Sequence, residues 1–249
     1  MPRAMRPIAL ILAAAAFLLT GGCNATHSVV LNEDGSGTMT LHLEVSKLLR
    51  DYVIGLAEVS GEPRAPRADA LFDLAAIRKG FEAQPGITVR NVSVADPRSL
   101  DVDIAFASLM DLFAGRAGLQ SANVVSLLQS GGLETLKIHL DRGNYRQIAV
   151  FFPMLEDPVL KSLGPQVDQK ATENDYLEMV RFSIGDEAPA LVKKSSIVVT
   201  IRPEGQIESQ TGGTLSDGAV MFKIPLLRLL LLDTPLDFSM SFRTGEKKP

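Results

Sequence analysis

SVVLNEDGSGTMTLHLEV, residues 28–45, reads as a β-hairpin, and that reading decides the kind of fold the rest of the chain must complete. The strands run from His27 to Glu33 and from Thr38 to Val45, with Asp34-Gly35-Ser36-Gly37 between them; Asp-Gly is a strong hairpin signal because both turn positions tolerate positive φ. Met39, Leu41, Leu43 and Val45 alternate with Thr38, Thr40, His42 and Glu44. A strand so patterned buries one face and wets the other, so something apolar must cover it.

Further along the chain, the same two periodicities recur. Ser46 caps a helical stretch to about Val59, and Asp69 caps a second, with Leu71, Phe72, Leu74, Ala75, Ile77 and Phe81 at helical spacing before Pro85-Gly86 stops it. Ile87–Val94 and Leu100–Ala107 form a second hairpin around Asp96-Pro97-Arg98, followed by a short helix over Leu109–Arg116. After Gly131-Gly132, Glu134–Leu140 reads as a strand, and Tyr145–Leu155, Pro158–Leu163 and Glu173–Phe182 as helices. Ser196–Arg202 and Gln206–Gln210 predict a third hairpin around Pro203-Glu204-Gly205; Ala219–Ile224 and Leu236–Phe242 are strands flanking a helical turn at Leu226–Leu232. Hairpins interleaved with helices indicate α+β, antiparallel strands with helices packed on the sheet. Strand, small turn and short apolar helix occur in both Leu100–Phe113 and Ala219–Leu230, which raises the prospect of two similar lobes at about 24–120 and 131–249.

Composition sets limits on partners. The chain has 249 residues, 46% apolar and 22% charged, enough to bury a sizeable core; with no Trp and 6% aromatics, that core is mainly aliphatic. Its single cysteine, Cys23, excludes an internal disulfide and a cysteine-rich zinc site. Net charge is −4, and −6 once Arg3 and Arg6 are set aside with the segment before Cys23, which argues against nucleic acid and against broad attraction to anionic lipid.

Residues 1–22 have the order of a secretory signal. Arg3 and Arg6 precede the uncharged run Ile8–Leu19 (IALILAAAAFLL), which is too short for a conventional membrane span, and Thr20-Gly21-Gly22 supplies small residues before Cys23. The junction LLTGGC resembles the lipobox of bacterial lipoproteins, with Thr20 standing where that motif usually has an aliphatic residue. The resemblance implies cleavage after Gly22, a diacylglycerol on the Cys23 sulfur and an acyl chain on its new amino group. Several chains together would hold the protein firmly to a membrane, with the domain periplasmic or on the cell surface. LLTGGC together with the SVVLNEDGSGTMTLHLEV hairpin is similar to the LppM-like envelope lipoproteins; that resemblance implies an α+β fold and a lipid contact, and carries over no site residue but Cys23.

Motifs for chemistry are sparse. Asn32–Thr38 has oxygen-bearing side chains at alternate positions, as a calcium loop does, but the twelfth position is Leu43 rather than a bidentate Glu, and a hairpin turn explains the same residues. No two of His27, His42 and His139 stand at ligand spacing on one helix, and all three read as solvent-facing strand residues. Asp101 and Asp103 share a strand face, as outward acids on soluble strands often do, and no GxSxG, HExxH, P-loop or GxGxxG occurs. No cofactor or metal is therefore expected. Two apolar stretches remain, Phe222–Leu232 (FKIPLLRLLLL) and Tyr145–Leu155 with its paired Phe151 and Phe152. Phe151, Phe152, Phe222, Leu226 and Leu229 are the candidates for an apolar ligand site or partner surface, if they do not simply pack in the core. The expectation is a non-enzymatic envelope module binding a lipid, another apolar ligand or an envelope protein. A structural scaffold, or an enzyme whose site is assembled from scattered residues, stays open.

Overall fold

The computed structural model describes residues 23–60, 71–109, 124–145, 164 and 171–243, and for 57–60 the backbone only. It is α+β, with two sheets. Strands β1 (Asn24–Leu31) and β2 (Gly37–Glu44) form the predicted hairpin, followed by helix α1 (Lys47–Ser60), helix α2 (Leu74–Glu82) and a second hairpin of β3 (Ile87–Ser93) and β4 (Ser99–Phe106). A third pair, β5 (Val125–Ser130) and β6 (Leu133–Leu140), precedes helices α3 (Glu173–Ile184) and α4 (Ala188–Lys194). The chain ends in β7 (Ser196–Pro203), β8 (Ile207–Thr211), β9 (Thr214–Ser216), β10 (Ala219–Pro225), α5 (Leu226–Leu231) and β11 (Leu236–Arg243).

The larger sheet has the order β3-β4-β2-β1-β7-β10-β9 and the smaller one β5-β6-β11-β8. All pairings are antiparallel except β1 with β7, which run parallel with Asn24 opposite Ser196 and Val29 opposite Ile201. Through that one junction, strands from both halves of the sequence share a sheet. Register lines the apolar residues up in rows: Val102, Leu41, His27, Val199 and Phe222 lie side by side across β4, β2, β1, β7 and β10. The next row is Ile104, Met39, Val29, Ile201 and Val220. A shift of one residue in any pairing would turn such a row outward, so burial of this face fixes the register.

Local sequence explains the turns. In the first hairpin, Gly35 has φ +83 and the Asn32 side chain donates to Ser36 Oγ at 2.9 Å. Gly131 and Gly132 (φ +58 and +76) turn β5 into β6, and Asp217-Gly218 (φ +50 and +69) turn β9 into β10, consecutive left-handed residues of the sort that match strand twist. Ser46 accepts from the Leu49 amide at 3.2 Å and starts α1, whose Leu49 joins the main core while Leu48 joins a satellite core. That satellite is built by Tyr176, Leu177 and Val180 of α3, Ala188 of α4, and Leu227 and Leu231 of α5. Thr172 and Asp175 cap α3 reciprocally.

Three expectations are corrected. Ser196–Arg202 and Gln206–Gln210 are strands but not a hairpin: β7 pairs with β1 and β10, and β8 pairs with β11 in the other sheet, so Pro203–Gln206 carries the chain between sheets. The cap of the second helix is Asp73, which accepts from the Ala76 amide at 2.9 Å, and the helix starts at Leu74. Leu71 and Phe72 precede the helix and pack on the core all the same, which is why the helical spacing extended back to them. Strands β5 and β9 and helix α4 add to the elements that the sequence pattern predicts. The helices expected over Leu109–Arg116, Tyr145–Leu155 and Pro158–Leu163 lie almost wholly outside the described residues, which include only Leu109 and Tyr145 of them.

Candidate functional site: an apolar cavity between the sheets

Where the β1–β7–β10 part of the large sheet faces the small one, the side chains leave a cavity of about 140 Å³. Its floor is His27, Val29 and Leu31 of β1, Ile197, Val199 and Ile201 of β7, and Phe222 and Ile224 of β10. The small sheet roofs it with Leu136, Ile138 and Leu140 of β6 and Leu236 and Phe238 of β11; Leu109, Val124 and Leu229 close the sides. Apart from His27, the lining side chains are apolar. In size and apolar lining this space is comparable to a ~150 Å³ cavity that takes up benzene, though it is partly open at one side.

The two sheets are fastened at one side of this space. The Phe222 and Phe238 rings, one from each sheet, meet with centroids 5.2 Å apart at 58°. The chain crosses from β8 back to β9 beside them, at Gly212-Gly213. A Cβ on Gly212 would lie 2.8 Å from Phe238 Cδ1, and one on Gly213 would lie 2.6 Å from Val220 Cγ1 and 2.7 Å from Phe222 Cε1. Only glycine lets the backbone pass so close to both rings.

His27 corrects the reading of the histidines as solvent-facing. It is 4% exposed and sits on the apolar face between Leu41 and Val199. Burial lowers its pKa from 6.5 to about 4, so the ring is neutral at physiological pH. The alternation of Ala25, Val29 and Leu31 around it was the available signal, and residue type masked it. His42 and His139 do face outward. Each pairs with the aspartate directly opposite on the neighbouring strand, His42 Nδ1 with Asp101 Oδ1 and His139 Nδ1 with Asp237 Oδ1, both at 2.7 Å. The bond to Asp237 raises the His139 pKa, assisted by Asp141 at 3.4 Å.

Of the residues singled out in the sequence, Phe222 and Leu229 line the cavity, and Leu226 packs against the core beside it. Phe151 and Phe152 lie outside the described residues. Cys23 stands immediately before β1, its amide donating to Ser195 Oγ at 2.7 Å and its sulfur accepting from the Ser46 amide at 3.4 Å. Burial raises its pKa. Among the described residues, no three of His, Cys, Asp and Glu are grouped to hold a metal ion, and no helix is long and apolar enough to cross a membrane.

No protein-family model and no curated protein matches the chain. Among solved structures, it is similar to the folded domain of Mycobacterium tuberculosis LppM determined by NMR, with a TM-score of 0.43 and 11% identity over 91% of this chain and 93% of that one.

Proposed function

We propose that this is a lipid-anchored protein of the bacterial envelope, held to a membrane through Cys23, which binds the hydrocarbon part of a lipid or other apolar ligand between its two sheets. The observation that supports the binding role is the partly open apolar cavity of about 140 Å³ lined by side chains of both sheets. Because its wall, His27 apart, is built from apolar side chains, a ligand's polar head would stay outside while a ring or the end of an acyl chain enters. Transferring such a group from water contributes roughly 0.8 kcal/mol per CH₂, so a short segment suffices for measurable affinity. The anchor reading rests on the signal-like segment and LLTGGC ahead of Cys23.

The test is native mass spectrometry and solvent extraction of residues 23–249 carrying Cys23→Ser. A retained apolar molecule at fixed stoichiometry, or its uptake from added envelope lipid, is the expected result. A clean apo mass that no lipid or hydrocarbon alters would overturn the binding role.

A second reading, docking of an envelope protein, draws on one observation. Phe182 on α3 is 94% exposed, and Met179 one turn earlier is 40% exposed, although α3 buries its other face well. Crosslinking from position 182 in intact envelopes to a defined protein would favour this reading; crosslinks to water or lipid alone would remove it.

A further inference from the structure

We infer that one acyl chain of the protein's own anchor on Cys23 occupies the inter-sheet cavity, making the cavity's resident ligand a tethered one. This rests on the proposed lipidation and deepens it.

The geometry starts with strand phase. In β1, Ala25, His27, Val29 and Leu31 point to the inner face and Thr26, Ser28 and Val30 to the outer. Cys23 stands two residues before Ala25, in the inner phase, and its side chain packs against the same core. It is held there from two directions, by Ser195 on its amide and by Ser46 on its sulfur. A substituent on that sulfur thus leaves from the face that the cavity occupies, rather than from the solvent face.

The path inward passes one buried side chain before the cavity lining begins at His27. The next side chain along β1 on this face is Ala25, which stops at Cβ. Directly opposite Ala25 is Ile197, and opposite Ile197 is Ile224; both line the cavity. From Cys23 to His27, the first β1 residue of the lining, is four residues, about 13 Å. The lining then runs along β1 from His27 to Leu31, a further ~13 Å. One acyl chain spans half of a bilayer's hydrocarbon core, about 15 Å, so, carried past Ala25 on the glyceryl linker, it reaches the His27 end of the cavity. Its volume exceeds 140 Å³, so only the terminal part of the chain lies within the cavity, whose two sheets Phe222 and Phe238 hold together.

The energetics favour the tethered chain over a free competitor. A group linked this close acts at an effective concentration in the millimolar range, far above that of any dispersed amphiphile. Moving an acyl chain from the bilayer to a hydrocarbon wall costs little, because both surroundings are apolar. Two chains are enough for stable anchoring, and the processing implied by LLTGGC would attach three, leaving one to spare.

The experiment uses the full chain in a bacterial host that processes lipoproteins, fed palmitate with a terminal diazirine and irradiated in intact membranes. The expected result is a Cys23-linked lipid crosslinked to peptides 196–203 and 219–225. An intact mass without lipid at Cys23 would show that the anchor reading itself has failed. Lipid present on Cys23 but crosslinked to phospholipid alone would overturn this inference and leave the anchor standing. As a second measure, benzene should shift the methyl resonances of Ile197 and Ile224 in the unlipidated Cys23→Ser protein, and at least tenfold less in the lipidated one. Equal shifts in both would likewise overturn it.

Discussion

Phe222 and Phe238 are the one aromatic pair that bridges the two sheets among the described residues, with ring centroids 5.2 Å apart. They fasten the sheets at the point where both rings also line the cavity. Phe222 is 2% exposed, so Phe222→Ala should cost about 3–5 kcal/mol in urea unfolding, the sum of lost transfer energy and added empty volume. Phe238 is only partly buried and should cost less. In a double-mutant cycle the pair should show a coupling of about 0.5–1.5 kcal/mol. Strict additivity of the two single mutants would mean that the rings touch without fastening anything.

The glycines separate two physical effects. Gly35 and Gly212 both have φ near +80, but a Cβ on Gly35 meets nothing within 4 Å, whereas on Gly212 it would lie 2.9 Å from the Asp237 carbonyl oxygen and 2.8 Å from the Phe238 ring. Gly35→Ala should therefore cost only the left-handed backbone penalty, roughly 1–2 kcal/mol. Gly212→Ala should cost clearly more, because a backbone atom cannot swing away. Equal losses in thermal or urea unfolding would argue against the close passage at the sheet corner.

Much of this architecture can be read from the sequence because it is local. The Asp34-Gly35 turn and the alternation of Met39, Leu41 and Leu43 sufficed for β1 and β2, since a hairpin partner lies a few residues away. The parallel pairing of β1 with β7 has no such signature: Asn24 meets Ser196 only because burial of one common face selects that neighbour. Pro203-Glu204-Gly205 resembles a hairpin turn, but it carries the chain to a different sheet, and turn chemistry alone does not name the partner strand. Gly131-Gly132 is a hairpin signal, but its first strand, β5, carries no alternating pattern, because Leu128, Gln129 and Ser130 all face solvent at the sheet edge. At the cavity, Phe222 and Leu229 stood out by hydrophobicity. His27 did not, because its type suggests solvent while its phase dictates burial.

That buried histidine sets a pH dependence. Burial holds the folded-state pKa of His27 at about 4 against 6.5 for the free side chain, so between these values the unfolded chain binds a proton that the native protein excludes. The corresponding stability is fully present above about pH 6.5 and is lost as pH falls toward 4, to the extent of ~3 kcal/mol. His27→Leu should abolish this component. The check is the difference in unfolding free energy between wild type and variant from pH 7 to 4; a constant difference would mean that His27 does not titrate as its burial requires.

His139 acts in the opposite sense. The hydrogen bond from its ring to Asp237 raises its pKa, so the stabilisation is present below the unfolded-state pKa and is lost as pH rises through the folded-state value. The pair is well exposed, which limits its worth to a few tenths of a kcal/mol, up to about 1. An NMR titration of the His139 ring should show a pKa above 6.5 that drops in Asp237→Asn. An unchanged midpoint would show that the 2.7 Å contact does not persist in solution.

Filling the cavity should both stabilise the protein and block uptake of hydrocarbon. At about 24 cal/mol per Å³, an empty 140 Å³ corresponds to ~3 kcal/mol of unrealised packing. Val199 lies in register between His27 and Phe222 and lines the space, so Val199→Leu and Val199→Phe extend into it by increasing amounts. Each should raise stability, Val199→Phe by on the order of 1 kcal/mol, because added contacts replace void. Benzene should raise the Tm of the unlipidated wild type, following its binding to the native state alone, and raise that of Val199→Phe far less. Loss of 1–3 kcal/mol in both variants is the signature of overpacking, and would mean that the sheets already close on one another at this point. The two readouts must move together, since the same empty volume is responsible for both.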